Sequence, residues 1–363
     1  MLDKAKHYSN IKYTLTIVGV FYSLLLLIFF LASGLSAALS VWLGKHVLSQ
    51  LIFPLYLAII SFAYYLLEFP LNLYQSHILE HKFALSRQSL RDWFIDQLKS
   101  GLLSYLLSLI LLAAFYFILK HALNKWWIVL SIFWVFFSVI LAKIVPVVVV
   151  PLFFKYKKLS DENLRQRIIN LAAKMKVKVL DCFEIDFSKK TLKANAAFLG
   201  TGNTRRVILA DTLKDKYSYD EIEIILAHEF AHYQLKHLLK LILVNALITA
   251  GTFYVIYKSN AHVLHLFKLN SLSEIAALPV LLIYFILFGI ITQPLTAFIS
   301  RSFERSADSL ALEVTGLKEA FISTMAKLAE QNLADRSPHP LIKFFFFDHP
   351  PIDERIKMAQ DFN

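Results

Sequence analysis

Six long stretches with almost no charged residue constrain this chain more than anything else in it. They cover residues 13–44, 47–67, 101–119, 126–154, 241–257 and 275–300, and Lys143 is the one charge inside them. About 20 apolar residues in a helix cross the roughly 30 Å of bilayer hydrocarbon, so a chain with several such stretches cannot close around one globular core. The composition agrees, with 57% hydrophobic residues and 31 phenylalanines among 363. The fifth stretch is short by itself. It continues an uninterrupted helical pattern, LAHEFAHYQLKHLLKLILVNALITAG, which the sequence reads as one continuous helix from Leu226 to Gly251.

The first stretch is about twice as long as the 7–15 residues of a signal-peptide core, so the small residues of LASGLSAALS are read as part of a span. Basic residues set the orientation. Lys4, Lys6 and Lys12 precede the first span, and Lys82, Arg87, Arg91 and Lys99 lie between the second and third. The intervening loops at Lys45 and at Lys120 and Lys125 carry fewer. This places the N-terminus, the polar region from residue 155 to 240 and the C-terminal tail on the cytoplasmic side. The net charge of +11 then sits largely beside anionic headgroups. No basic run interleaved with aromatics suggests nucleic acid. Glu68 and Lys143 face either a polar interior or the headgroups. Cys182, the one cysteine, excludes an intrachain disulfide and reads as a small buried side chain.

Chemistry enters at His228, Glu229 and His232. Histidines four apart on a helix project from one face and can grip a single Zn2+, while the glutamate between them reaches a metal-bound water. Ahead of them, SYDEIEIILA reads as a capped helix start, with Ser218 or Asp220 as the cap. A catalytic zinc takes three protein ligands and keeps one open position. The metzincin pattern would supply the third from the same helix, but Leu235 and Leu238 stand where its glycine and histidine belong. His237 is off that spacing and reads as an interfacial residue. After the sixth span, SRSFERSADSLAL places Glu304 and Asp308 one helical turn apart. One carboxylate can ligate the metal while the other accepts a histidine N–H.

The segments HEFAH, FERSAD, NAAFLGTGNTRRVILADTL and DHPPIDER, in this order among these spans, resemble the type 1 CAAX prenyl protease family of integral-membrane zinc metallopeptidases. The likeness extends forward through LLEFPLNLYQSHILEHKFALSRQSL and IVPVVVVPLFFKYKKLSDENLRQRI, nearly the whole chain. By that resemblance His228, His232 and Glu304 hold one Zn2+ per chain. Glu229 is the general base, Asp308 the acid supporting a histidine ligand, and His349 and Arg355 contact substrate or stabilise the oxyanion. Asn195, with Ala196, Ala197 and Phe198, matches the edge strand that receives the peptide, and NAAF turned by TGNT into VILA is a plausible hairpin for it. Ala197 replaces the aromatic usual after NA.

The fold class expected is therefore mainly α: a polytopic membrane protein of about six transmembrane helices enclosing a chamber, with a gluzincin-like metallopeptidase domain carrying a small hairpin or sheet. Family members often have one more N-terminal span. The expected organisation is a membrane domain over 1–154 with four spans, a metallopeptidase region over 155–240, two further spans over 241–300 and the rest of the metallopeptidase domain over 301–363. The activity implied is hydrolysis of peptide bonds in prenylated CAAX-type or membrane-associated proteins by a Glu-activated, zinc-bound water. Quality-control proteolysis of the heat-shock membrane metalloprotease type is the alternative, and a non-catalytic scaffold or transporter is the reading from another class. The partners implied are a peptide or protein substrate and membrane lipid, without nucleic acid. A bacterial cytoplasmic membrane is favoured over the endoplasmic reticulum, since the tail AQDFN carries no dilysine-type retrieval signal.

Overall fold

The computed structural model describes residues 2–200 and 205–362. Twelve helices matter here. In chain order they are α1 (Leu2–Ala32), α2 (Leu35–His46), α3 (Ser49–Lys82), α4 (Leu90–His121), α5 (Trp126–Phe153), α6 (Glu162–Lys174), α7 (Tyr219–Gln234), α8 (His237–Leu266), α9 (Leu278–Thr315), α10 (Lys318–Gln331), α11 (Pro340–Phe346) and α12 (Ile352–Gln360). Six are long and apolar enough to cross a membrane: α1, α3, α4, α5, α8 and α9 with the short turn before it. Their outer faces are apolar as well. Phe21, Phe62, Phe117, Phe136 and Leu247 are all more than half exposed, which is tolerable only against hydrocarbon. This is an integral membrane protein. Glu68 accepts a hydrogen bond from Ser23 on α1 at 3.0 Å, and Lys143 is exposed.

The first apolar stretch is not one span. Gly34 stands at φ 75°, the left-handed region that glycine enters without steric cost, and turns the chain between α1 and α2. The small residues read as span serve packing instead, since the buried Ser36 hydroxyl meets the carbonyl of Ala276 at 2.6 Å and the Tyr56 hydroxyl at 2.7 Å. Proline also shapes the spans. A π-helical turn at Tyr74–Ile78 follows Pro70, and another at Val145–Val149 contains Pro146.

Between α5 and α7 lies a four-stranded sheet in the order β1-β2-β4-β3, formed by β1 (Tyr156–Lys158), β2 (Asp181–Ile185), β3 (Ala196–Leu199) and β4 (Arg206–Ala210). β2 and β4 run parallel, and the outer pairs are antiparallel. β3 and β4 pair as the two arms of a hairpin, while TGNT, residues 201–204, lies outside the described residues. Cys182 is buried in β2 at 1% exposure, and burial pushes its thiol up to about 11. The sheet, α6, α7, α10, α12 and the distal end of α9 share one core built around Leu164, Leu209, Leu226, Phe230 and Phe321. α9 joins the two halves of the molecule. Its 38 residues run roughly 57 Å at 1.5 Å per residue, so the end carrying Glu304 and Asp308 extends beyond the hydrocarbon.

The structure corrects one reading of α7 and α8. They are not one continuous helix: α7 ends at Gln234, Lys236 sits in the left-handed region at φ 56°, and α8 starts at His237. Helical periodicity runs through the joint unbroken, so no local pattern marks the break.

Candidate metal centre and peptide-binding edge

Ser218 caps α7. Its hydroxyl accepts from the Glu221 N–H at 3.3 Å, and its own N–H donates to Glu221 Oε2 at 2.7 Å, a reciprocal capping box. Lys327 and Ser323 of α10 hold the same carboxylate, each at 2.6 Å. The helix is thus fixed at its start, and its apolar face, Ile222, Leu226, Phe230 and neighbours, is buried in the core. The opposite face carries His228, Glu229 and His232 toward α9.

There the two histidines and Glu304 converge. One ligand atom from each lies within 4.8 Å of the others. His228 Nε2 and His232 Nε2 are 3.0 Å apart, and each is 3.2 Å from an oxygen of Glu304. The hydrogen-bond network assigns the tautomers. His228 Nδ1 donates to Asp308 Oδ1 at 2.8 Å. His232 Nδ1 donates to His237 Nδ1 at 2.9 Å, His237 Nε2 to the Ser306 hydroxyl at 3.2 Å, and Ser306 to the Phe303 carbonyl at 2.8 Å. Both Nε2 atoms are then left with lone pairs aimed at one point, beside a Glu304 Oε2 that is buried without a hydrogen-bond partner. Three electron-pair donors facing each other repel unless a cation lies between them, so this donor set fits a metal ion. Charge points the same way. Burial opposes a proton on His228, yet the buried carboxylates of Asp308 and Glu304 beside it favour positive charge at this position.

His237 is not the interfacial residue that its spacing suggests. It is buried at 2% exposure, stacked on Phe303 at 4.5 Å, and supports His232 as Asp308 supports His228. Nothing in its spacing from His232 marks that role, because the contact exists only once the helix breaks. Asp308 is wholly buried, and beyond His228 it takes two bonds from Arg355, Nε at 2.8 Å and Nη2 at 2.6 Å. His349 is half exposed. Its Nε2 lies 3.4 Å from Glu304 Oε2, and the hydrogen bond from its Nδ1 to Asp348 raises its pKa. The buried Arg301 of α9, absent from the sequence reading, holds this corner by donating to the carbonyls of Lys343 and Phe347 at the end of α11.

A cavity of about 240 Å3 adjoins the cluster and brings Asn195, Ala196, His228, Glu229, His349 and Arg355 to one wall system. Burial pushes the Glu229 carboxyl above the ordinary carboxylate range, as suits a group that must take up a proton. β3 forms the rim, with one edge paired to β4 and no strand on the other among the described residues. The Ala210 N–H donates to the Asn195 carbonyl at 3.0 Å, so by antiparallel alternation the N–H and C=O groups of Ala196 and Phe198 face the open side. Ala197 bonds inward to β4, and Phe198 packs edge-on against Phe230 at 5.0 Å.

Comparison with known proteins adds three findings. The family model described as peptidase family M48 matches residues 158–362, and one described as CAAX prenyl protease N-terminal, five membrane helices, matches residues 1–155, which here hold four candidate spans and the short α2. The uncharacterized metalloprotease YhfN of Bacillus subtilis is 30% identical over 99% of this chain and 85% of its own length. CAAX prenyl protease 1 of Saccharomyces cerevisiae is 29% identical over 97% and 84%. The crystal structure of S. mikatae Ste24p superposes with a TM-score of 0.89 at 24% identity, covering 99% of this chain and 88% of that one, a likeness of fold.

Proposed function

The chain belongs to peptidase family M48 as a membrane-embedded metalloprotease of the CAAX prenyl protease kind, and from that premise we propose that it is a zinc endopeptidase trimming membrane-tethered, CAAX-type proteins. The observation that carries this is the juxtaposition of the His228, His232, Glu304 cluster and Glu229 with an open strand edge, on helices continuous with or abutting membrane spans. Zinc held by the cluster would supply Lewis acidity to the scissile carbonyl and acidify water.

This chain's own groups do the rest. A peptide pairs with the free main-chain groups of Ala196 and Phe198, which fixes its backbone with little demand on sequence. Glu229 takes the proton of the attacking water and returns it to the departing amine. His349, its cationic form favoured by Asp348, donates toward the oxygen that gains charge. Arg355 is a positioning residue, because its Nε and Nη2 donors are both engaged by Asp308, which in turn orients His228. The membrane spans keep this site at the bilayer surface, the cytoplasmic one by the basic-residue count, where a prenyl anchor would hold a substrate within reach.

The test is cleavage by detergent-purified protein and its Glu229→Gln variant of three substrates: a farnesylated CAAX peptide, its unlipidated twin and an unfolded membrane-protein segment, with zinc measured on both proteins. About one zinc per chain in each, with wild type alone cutting and the farnesylated peptide cut best, is the expected result. Cutting of the unfolded segment alone would turn the reading to membrane-protein quality control. No zinc and no cleavage would overturn it.

A further inference from the structure

Four consecutive phenylalanines, Phe344–Phe347, stand directly before Asp348 and His349, and no role at the metal explains them. α11 and the turn after it sort them onto two faces. Phe346 and Phe347 are half-buried, their rings 5.7 and 6.3 Å from that of Tyr13 on α1. Phe344 and Phe345 turn outward with Leu341, at 48%, 37% and 64% exposure, the i, i+3, i+4 spacing of a single helix face. Over residues 155–236 and 301–362 the other large exposed apolar side chains, among the described residues, are Leu180, Tyr219 and Tyr233, far apart in sequence. Only α11 groups three of them.

Two contacts fix the height of this helix. Tyr13 opens the first charge-free stretch and Arg301 directly follows the last, and both touch the end of α11. It therefore lies where α1 and the span of α9 leave the hydrocarbon. Its polar groups are directed away from the outer face. Lys343, the one charged side chain in α11, pairs with Glu354 of α12. Arg301 donates to the carbonyls of Lys343 and Phe347, which at a helix end would otherwise need water.

We propose that α11 is a membrane-inserting helix, whose Leu341, Phe344 and Phe345 enter the acyl chains of the leaflet on the catalytic side. The partner is the lipid surface itself, because α11 continues an exterior that the spans already give to lipid. Ile17 and Val18, about a turn beyond Tyr13, and Phe298, about a turn before Arg301, are exposed as well. Apolar side chains held at the headgroup boundary gain by leaving water for hydrocarbon. Only Phe347 and Asp348 separate α11 from His349, so lipid comes close to the metal site, and an anchored substrate crosses to it along this helix. That crossing rests on the endopeptidase reading above, whereas the insertion does not.

The experiment attaches one nitroxide at a time to Leu341→Cys, Phe344→Cys, Phe345→Cys and, as a water-facing control, Lys357→Cys on α12. The full-length protein is reconstituted in vesicles of phosphatidylethanolamine and phosphatidylglycerol, and the native thiol, Cys182, is buried away from the reagent. Accessibility to oxygen, which concentrates in hydrocarbon, is compared with that to a water-soluble nickel chelate. The three α11 labels are expected to give an oxygen-to-nickel ratio at least roughly threefold above that at Lys357→Cys. A ratio equal to the control would overturn the insertion. Labels open to nickel until a farnesylated peptide is added would overturn it in favour of the substrate's own lipid as the occupant. Changing Leu341, Phe344 and Phe345 together to serine should slow cleavage of a vesicle-bound farnesylated peptide roughly tenfold and spare its unlipidated twin; unchanged cleavage of both would overturn the crossing. If wild type cuts neither peptide, the endopeptidase reading fails while the labels still decide whether α11 enters the bilayer.

Discussion

Replacing Asp308 by asparagine separates two roles that the structure assigns to one carboxylate. Asp308 is 0% exposed and accepts three hydrogen bonds, from His228 Nδ1 at 2.8 Å and from Arg355 Nε and Nη2 at 2.8 and 2.6 Å. An amide keeps the size but loses the charge, and its NH2 must face a donor on His228 or Arg355. Arg355, 9% exposed, would be left buried without a counter-charge. Breaking one side of such a pair costs about 3–5 kcal/mol. Loss of the carboxylate behind His228 should lower zinc affinity roughly 10–100-fold.

Adding Arg355→Met to Asp308→Asn removes the stranded cation as well. Stability should then return most of the way, since apolar replacement of a whole buried pair is often neutral. Zinc affinity should not return, because His228 still lacks its acceptor. Stability is compared by thermal unfolding in excess chelator, so that weaker metal binding does not enter, and affinity by competition with a chromophoric zinc chelator. A single variant that binds zinc like wild type would refute the orienting role. A double variant no more stable than Asp308→Asn would refute the compensated pair.

Two further outcomes follow from the site. Burial works against the charge on Glu221, but Lys327, Ser323 and the Ser218 N–H outweigh it and hold its pKa below the ordinary 4.5; the stabilisation is complete above that value and is lost as pH falls through the lowered one. Glu221→Gln should therefore cost about 1–2 kcal/mol at neutral pH and progressively less in acid, and unfolding curves that stay equally far apart there would contradict it. Ala196→Pro removes only an N–H on the open edge of β3, so the protein should fold and hold zinc yet lose at least ~10-fold in peptide cleavage; full activity would show that peptide does not pair there.

How much of this the sequence disclosed depends on the range of the forces involved. Spans are legible because about 20 residues without charge leave few alternatives, and all six helices appear where charge is absent, although α1 stops at Ala32 while α3, α4, α8 and α9 run on into charged sequence. The cap at Ser218 was legible because a capping box is complete within four residues. The turn at Gly34 was hidden by apolar neighbours on both sides, although the Ser-Gly pair that makes it was in view. β1 and β2, of 3 and 5 residues, are too short to show a period, so of the small hairpin or sheet expected only the β3–β4 pair could be placed. Partnerships such as Arg301 with the carbonyls of α11, 42 and 46 residues away, leave no local trace at all.

His237 shows how the fold turns such distance into chemistry. In one continuous helix from α7 through α8, residues five apart would point to different faces, and the contact between His232 and His237 would be lost. The left-handed Lys236 costs about 1–2 kcal/mol, and in return His237 swings beneath His232, stacks on Phe303 and passes a chain of hydrogen bonds to Ser306. Metal face and membrane span can then take separate directions while remaining adjacent. His237→Phe tests this, because a phenyl ring preserves the stack and the apolar burial but offers His232 Nδ1 no acceptor. Zinc affinity should drop roughly tenfold, at the low end for a supporting group because a neutral acceptor is lost where Asp308 is charged. The unfolding midpoint of the metal-free protein should barely move. If affinity is unchanged, His232 is oriented by α7 alone and the break serves only the path of the chain.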